Sequence, residues 1–176
     1  MLYKTERRGL PSPPLTLENG ALIVAALSFL TLAGAWLFQF AGYKPCPLCL
    51  EERIPYYAAV AGGALAAYLA GRAPRVTALL LAAACVGLLY NAGLGIYHAG
   101  AEWHFWPGPS TCGGDDIQST SSLAARLRHN DAVRCDEAAV RIFGLSLAGY
   151  SVLISAGLAL VGAVSIYRDR SWLGRV

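Results

Sequence analysis

The chemistry this sequence offers lies in its five cysteines. Cys46 and Cys49 form Cys-Pro-Leu-Cys, Cys112 and Cys135 stand with 22 residues between them, and Cys85 sits alone in an apolar run. A Cys-x-x-Cys pair either binds metal or exchanges electrons. Its sulfurs close a small, reducible ring, and a helix N-terminus or a nearby cation stabilises the thiolate. Arg53 supplies a cation four residues after Cys49, and Pro55 fits the first turn of a helix that starts just after the motif. The partial positive charge of that helix end then lies a few residues from Cys49. Because Pro55 biases Ile54 away from helical angles, a start beyond Arg53 stays open, and with it whether Cys49 and Arg53 share a face. A Cys112–Cys135 disulfide would constrain the unfolded chain by roughly 3–4 kcal/mol. Taken alone, it reads as a loop staple. A zinc site using all four of these cysteines competes, but structural zinc sites usually pair two short Cys motifs and Cys112/Cys135 is not one. No metal is expected. Cys85 reads as a small apolar filler.

The elements that must position these residues follow from composition. The chain has 176 residues, 56% hydrophobic and only 14% charged, against roughly 25% charged in an ordinary soluble domain. That balance excludes intrinsic disorder and a typical soluble enzyme, and a net charge of +3 on so apolar a chain is no argument for a nucleic-acid partner. Four stretches carry no charge: Asn19 to Tyr43, Ile54 to Gly71, Val76 to Ala101 and Ile142 to Tyr167. A bilayer core of about 30 Å needs about 20 helical residues, and in lipid the backbone must satisfy its own hydrogen bonds. The expectation is one domain, an all-α membrane protein. It is a four-transmembrane-helix bundle with spans about 20–43, 54–71, 76–98 and 143–167, a short loop at 44–53 and a long one at 99–142. Lys4, Arg7 and Arg8 precede the first stretch as in a signal peptide, but its apolar run is much longer than the usual 7–15 residues, so it reads as a retained helix.

Orientation follows from Lys and Arg. With four spans, both termini and the 71–76 turn share one side, which carries Lys4, Arg7, Arg8, Arg72, Arg75, Arg168, Arg170 and Arg175 against Glu6, Glu18 and Asp169. That side is expected to be cytoplasmic. The other side carries six cations and eight acids, most of them in the long loop. It also holds Cys46, Cys49, Cys112 and Cys135, on the oxidising face where disulfides persist. A staple does not explain a Cys-x-x-Cys pair at that same face.

This arrangement resembles the DsbB family of disulfide bond formation proteins. The matching residues are Trp36-Leu37-Phe38-Gln39 leading into Lys44-Pro45-Cys46-Pro47-Leu48-Cys49 and Glu52-Arg53, Tyr97-His98 before Gly108-Pro109 and Cys112, and Phe143-Gly144-Leu145 after Cys135. The resemblance covers roughly residues 20 to 168. It implies a bacterial inner-membrane thiol oxidase with both termini cytoplasmic and its cysteine loops periplasmic. Such a protein reoxidises a periplasmic thioredoxin-fold partner, DsbA-like, and passes the electrons through Cys112/Cys135 and Cys46/Cys49 to a membrane quinone. Exchange of this kind proceeds by thiolate attack through mixed disulfides. By position, the resemblance makes Cys112 the residue that joins the partner and Cys135 its resolving mate. Cys46 then meets the Cys112–Cys135 bond and Cys49 faces the quinone. Arg53 matches the family arginine beside the quinone, where it would stabilise the Cys49 thiolate and the charge developing on the acceptor.

Gln39 and His98 lie toward the same face and are candidate quinone contacts, and Asn91 lies a turn or two deeper. Polar groups inside a membrane either mark a site or tie helices together, and Asn91 reads as a tie. Trp103, Phe105 and Trp106 read as an interfacial aromatic belt. Residues Ser119 to His129, with Leu123 and Leu127 beside Arg126 and Arg128, read as a short amphipathic surface helix that keeps Cys135 within reach of Cys46. Two other functions compete: an oxidase with a dedicated substrate, and a non-enzymatic membrane subunit with a stapled loop. A vitamin-K-epoxide-reductase-like protein has its Cys-x-x-Cys late in the bundle, which does not fit Cys46 and Cys49.

Overall fold

The computed structural model describes residues 15–109, 135–169 and 173. The elements are α1 (Leu17–Phe40), α2 (Pro47–Glu51), α3 (Arg53–Leu69), α4 (Pro74–Glu102), β1 (Arg141–Ile142), β2 (Leu145–Ser146) and α5 (Leu147–Arg168). Local chemistry sets their ends. Thr16 caps α1 by accepting from the Asn19 N–H at 3.1 Å, and Ser146 caps α5 by accepting from the Gly149 N–H at 3.2 Å. Pro74 opens α4, where its missing N–H leaves no helical bond unmade.

The four long helices form a ring. α1 packs on α3 and α5, and α4 packs on the same two from the opposite side. The Leu17 N–H donates to the Asp169 carboxylate at 2.9 Å, so the start of α1 and the end of α5 share one end of the bundle. The interior mixes leucines such as Leu81, Leu88 and Leu158 with many small and hydroxylated residues, Ala21, Ala59, Ala66, Ser28, Ser155 and Ser165 among them. Large apolar side chains such as Phe29, Leu37, Leu79, Val86, Leu153 and Leu160 point outward. A soluble bundle does the reverse. Where lipid is the solvent, close backbone approach and interhelical hydrogen bonds hold helices together instead. A Cβ on Gly63 would lie 3.0 Å from the Ala21 carbonyl and 3.1 Å from Ala25 Cβ. Asn91 bonds Ser155 Oγ at 2.9 Å and Ser151 Oγ at 3.3 Å, and the Tyr56 hydroxyl bonds Ser155 Oγ at 2.8 Å, joining α3, α4 and α5. Asn91 is thus the expected tie, and Cys85 lies in the apolar core.

α1, α4 and α5 are long and apolar enough to cross a membrane. α3, expected to cover residues 54–71, has 17 residues, about 25 Å at 1.5 Å per residue, and is shorter than the other three. The expected short loop contains α2. α4 runs on to Glu102, past the expected end at 98, so Glu102 is a buried helical residue and not part of a loop. The all-α expectation omits a two-stranded antiparallel hairpin pairing Arg141 with Ser146 and Ile142 with Leu145. Its turn residues, Phe143 and Gly144, have φ of 51° and 83°, the left-handed backbone that two-residue hairpins need. The last helix therefore starts at Leu147 and not at 143. Cys112, the residues 119–129 and the charged tails lie outside the described residues.

Gly63→Leu should destabilise the bundle by about 1–3 kcal/mol, the usual cost of overpacking, read as a lowered thermal midpoint in detergent. Gly62→Leu, whose Cβ meets nothing within 4 Å, should leave it unchanged.

Candidate active site

The Cys-x-x-Cys motif builds its own local structure. Cys46 is extended, with ψ of 166°, and caps α2; Pro47 follows at the first helical position. The Cys49 N–H donates to Cys46 Sγ at 3.2 Å, and the two sulfurs lie 2.6 Å apart as free thiols. Two donors thus converge on Cys46, the Cys49 thiol and the Cys49 backbone N–H. The hydrogen bond from the Cys49 thiol is the larger cause, and with the backbone bond it outweighs burial and holds the Cys46 thiol below the ordinary cysteine range. The same contact raises Cys49, aided by its burial and by the neighbouring negative sulfur. The contact therefore makes Cys46 the more acidic of the two thiols. Arg53 is expected to stabilise a Cys49 thiolate, whereas in the dithiol form the contact between the sulfurs favours Cys46.

His98 reaches this pair from α4. Its Nε2 is 3.5 Å from Cys46 Sγ, and its Nδ1 is 2.6 Å from Glu52 Oε1. Donation of Nδ1–H to the carboxylate leaves Nε2 as the ring nitrogen that accepts from sulfur. Glu102, one helical turn after His98, places Oε1 3.8 Å from Nε2. Sequence order alone presents Glu102 only as a charge of the long outer loop, and Glu52 only as the neighbour of Arg53 in the matching motif. One signal exists for Glu102: it stands four residues after His98, on the same helical face.

Arg53 is the first residue of α3, so it and Cys49 belong to different helices. Its guanidinium donates to Gln39 Oε1 at 2.8 Å and to the Ala35 carbonyl at 3.5 Å, and it lies 5.7 Å from the Trp36 ring centroid. Trp36 is in turn fixed by donation from its Nε1 to the Tyr57 hydroxyl at 2.9 Å. Arg53, Gln39, His98 and Cys49 all line one half-open cleft of about 300 Å³ between α1, α3 and α5. The rest of its wall is mainly apolar, from Leu30, Leu32, Phe38, Leu147 and Ile154 among others.

Cys46 faces the other way. It forms a buried cluster with Leu48 and Cys135, against which Cys49 and Leu94 pack. Cys135 is completely buried and disulfide-bonded. Arg141 helps to hold this strand of chain, donating to the Glu102 carbonyl at 3.3 Å and lying over Trp103. Of the expected site residues, six are therefore brought to one end of the bundle: Cys46, Cys49, Cys135, Arg53, His98 and Gln39. The seventh, Cys112, lies outside the described residues. The sequence carries no expectation of a metal, yet Cys46, Cys49 and His98 offer ligand atoms within 4.8 Å of one another.

The sulfur chemistry makes a pH prediction. The alkylation rate of Cys46 should fall as pH drops through its lowered pKa. In Cys49→Ala, which removes the thiol donor, that fall should move to higher pH. Iodoacetamide labelling with peptide mass spectrometry over a pH series reads both effects.

Comparison with known proteins agrees with the sulfur geometry. The family model described as Disulfide bond formation protein DsbB matches residues 18–165. A protein of Pseudomonas syringae pv. syringae named Disulfide bond formation protein B 2 is 32% identical over 166 residues, covering 85% of this chain and 89% of its own. An uncharacterized protein of Rickettsia prowazekii, RP370, is 24% identical over 158 residues, covering 85% of this chain and 88% of its own. No solved structure matches.

Proposed function

Since the chain belongs to the DsbB family of disulfide bond formation proteins, we propose that it oxidises a periplasmic DsbA-like dithiol protein and relays the electrons to a membrane quinone. In this reading it lies in the bacterial inner membrane with both termini cytoplasmic. α3 is the fourth span, α2 belongs to the short loop that precedes it, and the cysteine-bearing loops are periplasmic. The observation that carries the reading is the placement of one dithiol between two environments. Cys46 packs against Cys135, and Cys49 opens on the polar end of an apolar cleft.

Each exchange conserves electrons. The partner's thiolate attacks Cys112 in a Cys112–Cys135 disulfide, forming a mixed disulfide and releasing Cys135 as thiolate. Cys135 then attacks Cys46 Sγ of an oxidised Cys46–Cys49 pair, forming Cys46–Cys135 and releasing Cys49 as thiolate. The partner's second thiol resolves its mixed disulfide and leaves as the oxidised protein, freeing Cys112. Cys112 then attacks Cys135, restoring the Cys112–Cys135 bond and leaving Cys46 and Cys49 reduced. His98 Nε2 is placed to take and return the Cys46 proton, and Glu52 holds the imidazole in the required orientation.

The cleft fits a quinone in kind. Its volume of about 300 Å³ is at the small end for ligand pockets, and it is apolar with a few polar groups at one end. Arg53, Gln39 and His98 would hold the ring, and the outward-opening apolar wall would take the start of an isoprenoid tail. When bound, a quinone supplies a two-electron, two-proton acceptor. The Arg53 guanidinium, fixed by Gln39 and the Ala35 carbonyl, lines the same cleft as Cys49 and would supply positive charge toward the thiolate released there and toward the acceptor.

Purified protein, a reduced DsbA-like partner and ubiquinone or menaquinone, followed by quinone absorbance, test this reading. Cys46→Ser and Cys49→Ser should abolish quinone reduction, and Cys112→Ser should still bind quinone but not oxidise the partner. Normal turnover by the Cys46 or Cys49 variant would overturn the proposal. Arg53→Ala should lower quinone use by about 10²-fold, the scale of losing one charge-stabilising donor, with partner binding intact. An unchanged dependence on quinone concentration would remove Arg53 from the site.

A further inference from the structure

We propose that the reduced Cys46/Cys49 pair, with His98, is a binding site for a thiophilic divalent cation of the Zn²⁺ class. Both sulfurs and a histidine nitrogen lie within 4.8 Å of one another, and thiolate and imidazole are the donors that Zn²⁺ selects. This donor set differs from a four-cysteine site, because it takes nothing from Cys112 or Cys135.

Two independent features prepare the site. Glu52 Oε1 holds His98 Nδ1 at 2.6 Å, leaving the Nε2 lone pair directed at Cys46. This is the carboxylate–histidine arrangement that orients metal-ligating imidazoles. Glu102 supplies the second feature. Its side chain is 5% exposed, Oε1 lies 3.8 Å from His98 Nε2, and Oε2 has no hydrogen-bond partner among the described residues. A buried carboxylate oxygen without a partner is costly, and a cation beside Nε2 would satisfy it. Three ligands stand together, two thiolates and one imidazole, and Glu102, beside Nε2 but outside that 4.8 Å set, would have to turn toward the sulfurs to act as the fourth. Tetrahedral Zn²⁺ with Zn–S bonds of about 2.3 Å separates its sulfurs by about 3.8 Å. The present 2.6 Å must therefore open by a side-chain rotation, which half-buried Cys49 can make.

Binding releases the two thiol protons and changes no oxidation state. It also excludes the Cys46–Cys49 disulfide, since the same sulfurs cannot hold the metal and each other. If the pair cycles as proposed above, the cation traps the reduced form and blocks reoxidation; the binding itself does not depend on that cycle.

The test uses Co²⁺ as an optical probe, titrated anaerobically into the full chain in detergent after reduction and removal of reductant. Expected are saturation at one equivalent, visible bands of tetrahedral Co²⁺ with thiolate charge transfer, and bleaching by Zn²⁺. Protein oxidised at Cys46–Cys49 should show none of these, and Cys85→Ala should titrate like the parent. Cys46→Ser, Cys49→Ser and His98→Ala should lose the tetrahedral spectrum. Glu52→Gln, which leaves Cys46, Cys49 and His98 in place, should weaken Co²⁺ by about 10- to 100-fold, as loss of an orienting partner does. Circular dichroism checks that each variant keeps its helices, and the Glu52 variant decides the matter if His98→Ala does not fold. Absence of tetrahedral bands in the reduced parent, or their persistence at parent affinity without His98 or with Glu52→Gln, would overturn the site. Turnover with a partner and quinone is a separate readout, so loss of either result leaves the other standing.

Discussion

A carboxylate and an imidazole meet in the interior where α3 begins and α4 ends, and the geometry of the site depends on that contact. Glu52 is 6% exposed and His98 is 3% exposed, and neither could be buried alone without a large desolvation cost. Their 2.6 Å contact compensates both. It also fixes the height of α4 against the α2–α3 junction, and so brings Nε2 to Cys46. Among the described hydrogen bonds, His98 is the side chain other than Cys49 that reaches the Cys46 sulfur.

The dithiol is asymmetric because its surroundings are. Cys46 ends an extended segment and caps a helix, so a backbone N–H and the neighbouring thiol both point at its sulfur. Cys49 lies inside the helical turn and gives its proton to that contact. One sulfur is enclosed with Leu48 and Cys135; the other borders a cleft whose polar end carries Arg53 and Gln39. A three-residue spacing thus joins two compartments that differ in polarity and access. The bundle beneath is held by close helix contacts at Gly63 and Gly95 and by the Tyr56–Asn91–Ser155 bonds. Small residues and hydroxyls sit among the buried leucines there while many large apolar side chains face outward, and close approach with interhelical bonds holds such a scaffold where its solvent is as apolar as its core.

The charge-free stretches, the Cys-x-x-Cys pair and the cation at Arg53 are readable without coordinates because each is a local property of composition or spacing. So is the tie at Asn91, since an amide deep in an apolar helix has few alternatives to a neighbouring helix. The hairpin at 141–146 is not legible in this way, because Phe143-Gly144 lacks the usual Asn-Gly or Asp-Gly turn signal. Nor is the true length of α3. A charge-free run does not say where the helix frays into a turn, and here Ala70 already ends it.

The sequence alone determined the membrane-type helices, the residue types available for sulfur exchange and the end of the chain's helices at which they gather. Each follows from hydrophobicity and order along the chain. Which sulfur is the more acidic, which acid orients His98, and how Glu102 leaves a loop to become a buried neighbour of His98 were decided only by tertiary structure. Hydrogen bonds and desolvation act across distances of a few ångströms, and Glu52 and His98 are 46 positions apart. Nothing in linear spacing distinguishes that pairing from a charge in water.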